Sequence, residues 1–141
     1  MPGSEPGGEA TGSSYLLDTH VLLWLLGDPG RVPGAVREEL ADRRNTLLVS
    51  AASALEISTK VRIGKLDAPT LPSTLGRHLA DLGAVPLPVS VDHALLAGSM
   101  RWEHRDPFDR LLVAQATLEG LVLVTVDAVI AALPAPRLLT W

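Results

Sequence analysis

Cysteine is absent from the 141 residues, which removes disulfides, thiolate zinc sites and cysteine nucleophiles together and suits a reducing cytosol. Long apolar runs are missing as well. Asp18, Asp28, Arg31 and Asp127 interrupt or flank the richest stretches, so nothing approaches the roughly 20 uninterrupted apolar residues that cross a bilayer. The first fourteen residues, MPGSEPGGEATGSS, contain no Lys, no Arg and no apolar stretch. They read as a disordered tail and not as a secretory or organellar signal, and the expected location is cytoplasmic. Basic charge is not in excess either: the formal net charge of −4 argues against gripping nucleic acid through a broad positive face. No two of the four histidines stand three or four residues apart, which disfavours a zinc hydrolase.

What is present is apolar content for one core. With 47% hydrophobic residues, residues 15–141 suffice for one compact domain but hardly for two. Short β-like runs alternate with helical ones, an α/β pattern. Tyr15 to Leu17, Thr46 to Val49, a proline-flanked Ala84 to Val89, Leu121 to Val126 and Arg137 to Leu139 read as strands, the third near a sheet edge. Val21 to Leu26, Pro33 to Ala41, Ala51 to Arg62, Leu71 to Leu82, Val91 to Met100, a segment opened by Asp106-Pro107 and closed by Gly120, and a short turn from Asp127 to Leu133 read as helices. Pro33 suits a first-turn position, and Ser50 or Ser53 can cap the third helix.

Four acids stand at or near junctions between apolar runs and the helices after them: Asp18, Glu56, Asp109 and Asp127. The carboxyl ends of strands line the ligand crevice of an open parallel sheet, and Asp18 and Asp127 belong on that rim. Oxygen ligands from different elements suit Mg²⁺ or Mn²⁺. Such an ion activates water for in-line attack on a phosphodiester and relieves the repulsion among the carboxylates. Removing these four acids from the sixteen Asp and Glu leaves twelve, equal to the twelve Lys and Arg. The whole acidic excess can therefore be the site itself, with a bound cation supplying local positive potential for a polyanionic substrate.

The stretches LLDTHVLLWLL around Asp18, SAASALEISTKVRIGKL around Glu56, HRDPFDRLLVAQA around Asp109 and LVLVTVDAVI around Asp127 together resemble the PIN-domain family, in particular VapC-type toxins of prokaryotic toxin–antitoxin pairs. The likeness spans roughly Tyr15 to Trp141 and rests on four motifs in order. It implies a single PIN-like domain with a central parallel sheet of about five strands flanked by helices. It also implies a Mg²⁺- or Mn²⁺-dependent endoribonuclease, usually a homodimer, held inactive by a small antitoxin. Asp18, Glu56, Asp109 and Asp127 take the four acidic positions, and Asp106 belongs to the DPFDR form of the third motif.

Each assignment has a plainer rival. Asp18, Asp106 and Asp127 can be helix N-caps, and Glu56 can form an i,i+4 pair with Lys60. Asp106 is better suited to capping or to supporting the ligands. Ser53 and Thr125 can hydrogen-bond the site carboxylates, or simply cap and bond backbone. Around the third motif His104, Arg105 and Arg110, with Arg101 and Trp102, can meet RNA through phosphate pairing and base stacking, or form a solvated helix end. His20 reads as helix surface, and Trp24 as core or dimer surface. Two non-nuclease readings stand beside this one. A receiver-like phospho-acceptor domain needs an aspartate at the end of a central strand and a lysine at the rim, which fits poorly here. A catalytically silent PIN-like binding module would not need all four acids.

Overall fold

The structure, a computed structural model, describes residues 12–141. Most of the expected N-terminal tail, residues 1–11, lies outside the described residues, but its last residues already belong to the sheet. Strand β1 runs Ser14–Leu17. Ahead of it, Ser13 donates its N–H to Asn45 Oδ1 and accepts from Thr46 N at 2.9 Å each.

Helices α1 (Thr19–Gly27) and α2 (Gly34–Ala41) follow, with Pro33 at the N-cap of α2, one residue ahead of the expected first turn. Next come β2 (Thr46–Ser50), α3 (Ala51–Arg62), α4 (Leu71–Leu82), β3 (Ala84–Leu87) and α5 (Val91–Ser99). The chain closes with α6 (Pro107–Glu119), β4 (Val122–Val124), α7 (Ala128–Ala131) and β5 (Leu138–Leu139). Ser50 caps α3 by accepting from Ala52 N at 2.9 Å. Gly83 and Gly120 end α4 and α6 in the left-handed region, φ 70° and 67°, where a side chain would be strained.

All five strands are parallel, in the order β3-β2-β1-β4-β5. Because successive strand residues point to opposite faces, a sheet covered on both sides must be apolar in both registers. Strand β1 shows this directly. Tyr15 and Leu17 pack with Val21, Leu22, Val49, Ile57 and Val124 on one face, while Leu16 packs with Leu112, Val113, Leu123 and Ile130 on the other. The proline-containing β3 lies at an edge, the position where a strand residue without an N–H is tolerated. Helix α5 is held to α6 by His93, buried, whose Nε2 lies 2.8 Å from Glu119 Oε2.

From β1 the chain first builds β2 and β3 on one side, then crosses back to lay β4 on the other. The carboxyl ends of β1 and β4 are therefore the topological switch point, where an open parallel sheet leaves a crevice. Strand β4 is shorter than the apolar run suggests: it stops at Val124, and Thr125 to Asp127 turn into that crevice. No helix among the described residues is long and apolar enough to cross a membrane.

Leu123 is fully buried at the centre of the second core. Leu123→Ala is expected to lower stability by about 2–5 kcal/mol, read as a fall in the urea midpoint at unchanged slope.

Candidate metal centre

Asp18 follows β1 at the N-cap position of α1, but its side chain makes no capping bond. Its N–H is held by Val124 O at 2.9 Å, and Oδ2 accepts the Thr125 hydroxyl at 2.6 Å. The carboxyl is thus tied across the β1/β4 crevice and nearly removed from solvent, 4% exposed. Burial pushes its pKa above the ordinary carboxylate value, the Thr125 hydrogen bond opposes this, and the Glu56 charge adds to it.

Asp109 sits in the first turn of α6, where it does not cap. Its Oδ2 lies 2.7 Å from His104 Nε2. Burial, resisted by that bond and assisted by the charges of Asp106, Asp18 and Asp127, pushes its carboxyl up to about 6. Asp106 caps the helix, accepting from Phe108 N at 2.8 Å through Oδ1. Asp127 does the same for α7, accepting from Val129 N at 2.8 Å through Oδ1. Each cap occupies one oxygen of its carboxylate, so capping and ligation are not exclusive alternatives here.

Glu56 is buried on α3, 4% exposed, and pairs with Lys60 Nζ at 2.7 Å. The expected i,i+4 pair does form, but its carboxylate faces inward. The Glu56 hydrogen bond holds the Lys60 ammonium above its ordinary pKa, with the charges of Asp106 and Asp109 acting the same way. Ser53 Oγ meets Thr19 Oγ1 at 2.8 Å and joins α3 to the start of α1; its recorded partner is a hydroxyl and not a carboxylate. Among the described residues, the three acid or imidazole groups whose ligand atoms all lie within 4.8 Å of one another are His104, Asp106 and Asp109. Asp18, Glu56 and Asp127 are not in that group, although Asp18 and Asp127 are close enough for their charges to act on Asp109.

The donor set fits a hard divalent cation. Carboxylates from α3, α6 and the ends of β1 and β4 act on one another's charge in a partly dry crevice, which a cation would neutralise. Lys60 is the cation already there.

Arg110 takes a structural place. Its guanidinium donates to the carbonyls of Ala97, Met100 and Trp102 at 2.7 Å each and of His104 at 2.9 Å. Those bonds shape the segment between α5 and α6 that carries His104 to Asp109. Arg101 and Arg105 are exposed, and Trp102 lies 4.9 Å from the His104 ring. Trp102, Glu103, His104, Arg105 and Arg110 line an open cavity of about 670 Å³. His20 is exposed, and Trp24 is half-buried, with Arg31 4.6 Å over its ring. The His104–Asp109 contact and the Arg110 latch were not anticipated. Both depend on how an irregular segment folds back, and no spacing rule reports that.

A PIN domain family model matches residues 15–136. The chain belongs to the PIN-domain family. Solved structures share this PIN fold at low sequence identity. VapBC2 from Rickettsia felis, bound to a promoter DNA fragment, aligns with TM-score 0.70 and 21% identity over 91% of this chain and 98% of that one. DNA-bound VapBC from Salmonella typhimurium gives 0.68 and 20% over 92% and 98%. VapBC-1 from nontypeable Haemophilus influenzae gives 0.63 and 17% over 91% and 98%. No curated protein matched the sequence.

Replacing Arg110 by Met would leave its carbonyl partners without a charged donor. Arg110→Met is expected to cost about 2–4 kcal/mol and to shift the NMR resonances of the His104 ring, both measurable without any substrate.

Proposed function

We propose that this PIN-domain protein is a divalent-metal-dependent endoribonuclease, the toxin of a VapBC-type toxin–antitoxin pair. The observation that carries the reading is the crevice at the switch point, where Asp109 is pushed up to about 6 by burial and by Asp106, Asp18 and Asp127. A carboxyl raised first by burial and further by neighbouring acids is suited to a cation. Asp18, Glu56, Asp109 and Asp127 would hold Mg²⁺, or Mn²⁺ in its place, directly or through water. When bound, such an ion lowers the pKa of water and stabilises charge on a phosphodiester.

The chain's own residues supply position and access. Thr125 fixes the Asp18 carboxyl by its 2.6 Å hydrogen bond. Asp106 anchors the first turn of α6 and so aims Asp109. Exposed Arg105, which lines the cavity beside the acids, would meet phosphate. Arg110 contributes by shaping that wall. Lys60 offers a positive charge at the same rim.

Partners follow from the same reading. The similar structures are VapBC proteins, two of them on DNA, which supports a small antitoxin as the cognate partner. An acidic pocket attracts an inserted Arg or Lys, so the antitoxin would block this crevice. Val91 and Leu95 on α5, 75% and 65% exposed, support a homodimer. PIN membership displaces the receiver-like alternative, and the silent binding module is separated by experiment.

Purified protein is expected to cut RNA internally with Mg²⁺ or Mn²⁺ and to stop when EDTA is added. Asp18→Asn should stay folded by circular dichroism and lose about 100-fold or more of the activity. A folded wild type that leaves RNA intact with either ion would favour the silent module. Independently of turnover, Mn²⁺ at 100 times its Kd is expected to add about 2.7 kcal/mol of stability to the wild type, seen as a rise in Tm that Asp18→Asn reduces.

A further inference from the structure

His104 stands apart from the carboxylates as the sole imidazole in the group of ligand atoms that lie within 4.8 Å of one another. Its Nε2 is 2.7 Å from Asp109 Oδ2. That contact is a hydrogen bond, and because ligand atoms on adjacent corners of an octahedral ion with bonds of about 2.1 Å sit about 3 Å apart, the two atoms need move little to share one coordination shell. Asp106 uses Oδ1 to cap α6 and keeps its second oxygen. The imidazole is also held in place before any ion arrives. Arg110 fixes the carbonyls of Met100, Trp102 and His104, and the Trp102 ring lies 4.9 Å from the His104 ring at 48°. Positioning of this kind is what a metal ligand needs and a solvated loop histidine lacks.

We propose that His104 is a direct nitrogen ligand of the ion at this site, making it a mixed imidazole–carboxylate centre that prefers a first-row transition dication to Mg²⁺. The inference rests on the reading above that the acids bind a divalent metal, and adds what kind. Mg²⁺ favours an all-oxygen shell, whereas imidazole adds affinity for Mn²⁺ and more for the later members of the row. A bound ion would take the Nε2 lone pair, which would leave the proton of the neutral ring on Nδ1 and the Asp109 carboxylate free to hold the same cation.

The test is pulsed EPR of Mn²⁺ bound to the full chain, which detects a directly coordinated ¹⁴N with no substrate present. Wild type is expected to show an imidazole nitrogen coupling that His104→Gln abolishes and His20→Gln retains. Calorimetry is expected to show His104→Gln weakening Mn²⁺ about 10-fold or more while changing Mg²⁺ less than about 3-fold. Mn²⁺ bound tightly to wild type with oxygen couplings alone would overturn the nitrogen ligand and leave the nuclease reading standing. A nitrogen signal lost in His20→Gln and kept in His104→Gln would overturn it too. Absence of any Mn²⁺ binding would take both readings down. The wild-type spectrum decides even if His104→Gln fails to fold.

Discussion

The hydroxyl of Thr125 donates to Asp18 Oδ2 at 2.6 Å and accepts the N–H of Asp127 at 3.1 Å. The first bond ties the ends of β1 and β4 where the chain's two halves meet, and the second braces the turn that follows β4. Without the first, Asp18 would be a buried carboxylate with no side-chain donor among the described residues, which is costly in a dry crevice. With it the carboxyl is fixed in direction and still opposed by its neighbours. The rest of the centre is built outward from this seam, with α3 bringing Glu56 and Lys60 and α6 bringing Asp106 and Asp109.

Two of the four candidate acids carry an electrostatic cost in the fold. Asp18 and Asp109 are both pushed above the ordinary carboxylate range, with burial the largest cause and other acids adding to it. Folding therefore favours their protonated forms. For a carboxyl raised in the folded state, the penalty is absent below its unfolded pKa and grows as pH rises toward the folded one, near 6 for Asp109. The two apolar layers around Leu16 and Leu17 must offset that penalty.

Much of the architecture was legible in the residues because its signals are local. Ala51 to Arg62 is a helix over the expected span, with Ser50 capping its start, and so is Leu71 to Leu82, closed by left-handed Gly83 although Thr70 makes no side-chain cap at its start. Strand ends were less legible. Leu121 to Val126 reads as one strand, yet β4 ends at Val124: Thr125 makes a last backbone bond to Leu139 O and turns its hydroxyl to Asp18. The single PIN domain was visible from the order of its acidic motifs, and the family match covers 15–136. Site geometry was legible only in part. A sequence shows that Asp106 can cap and that Glu56 can pair with Lys60, but not that the first keeps an oxygen free or that the second faces inward. Arg110, grouped by composition with the RNA-facing cations, instead binds four backbone carbonyls.

Five consecutive residues at the start of α6, Asp106 to Arg110, begin the helix, place a carboxylate and clasp the preceding segment. Successive helical residues are set 100° apart around the axis. A single inserted or deleted residue inside this pentapeptide would swing the carboxylate away from the crevice and the guanidinium away from its carbonyls in one motion. The stretch is therefore indivisible: side chains within it can be exchanged, but its length cannot drift, and changes at its separate positions will not combine additively.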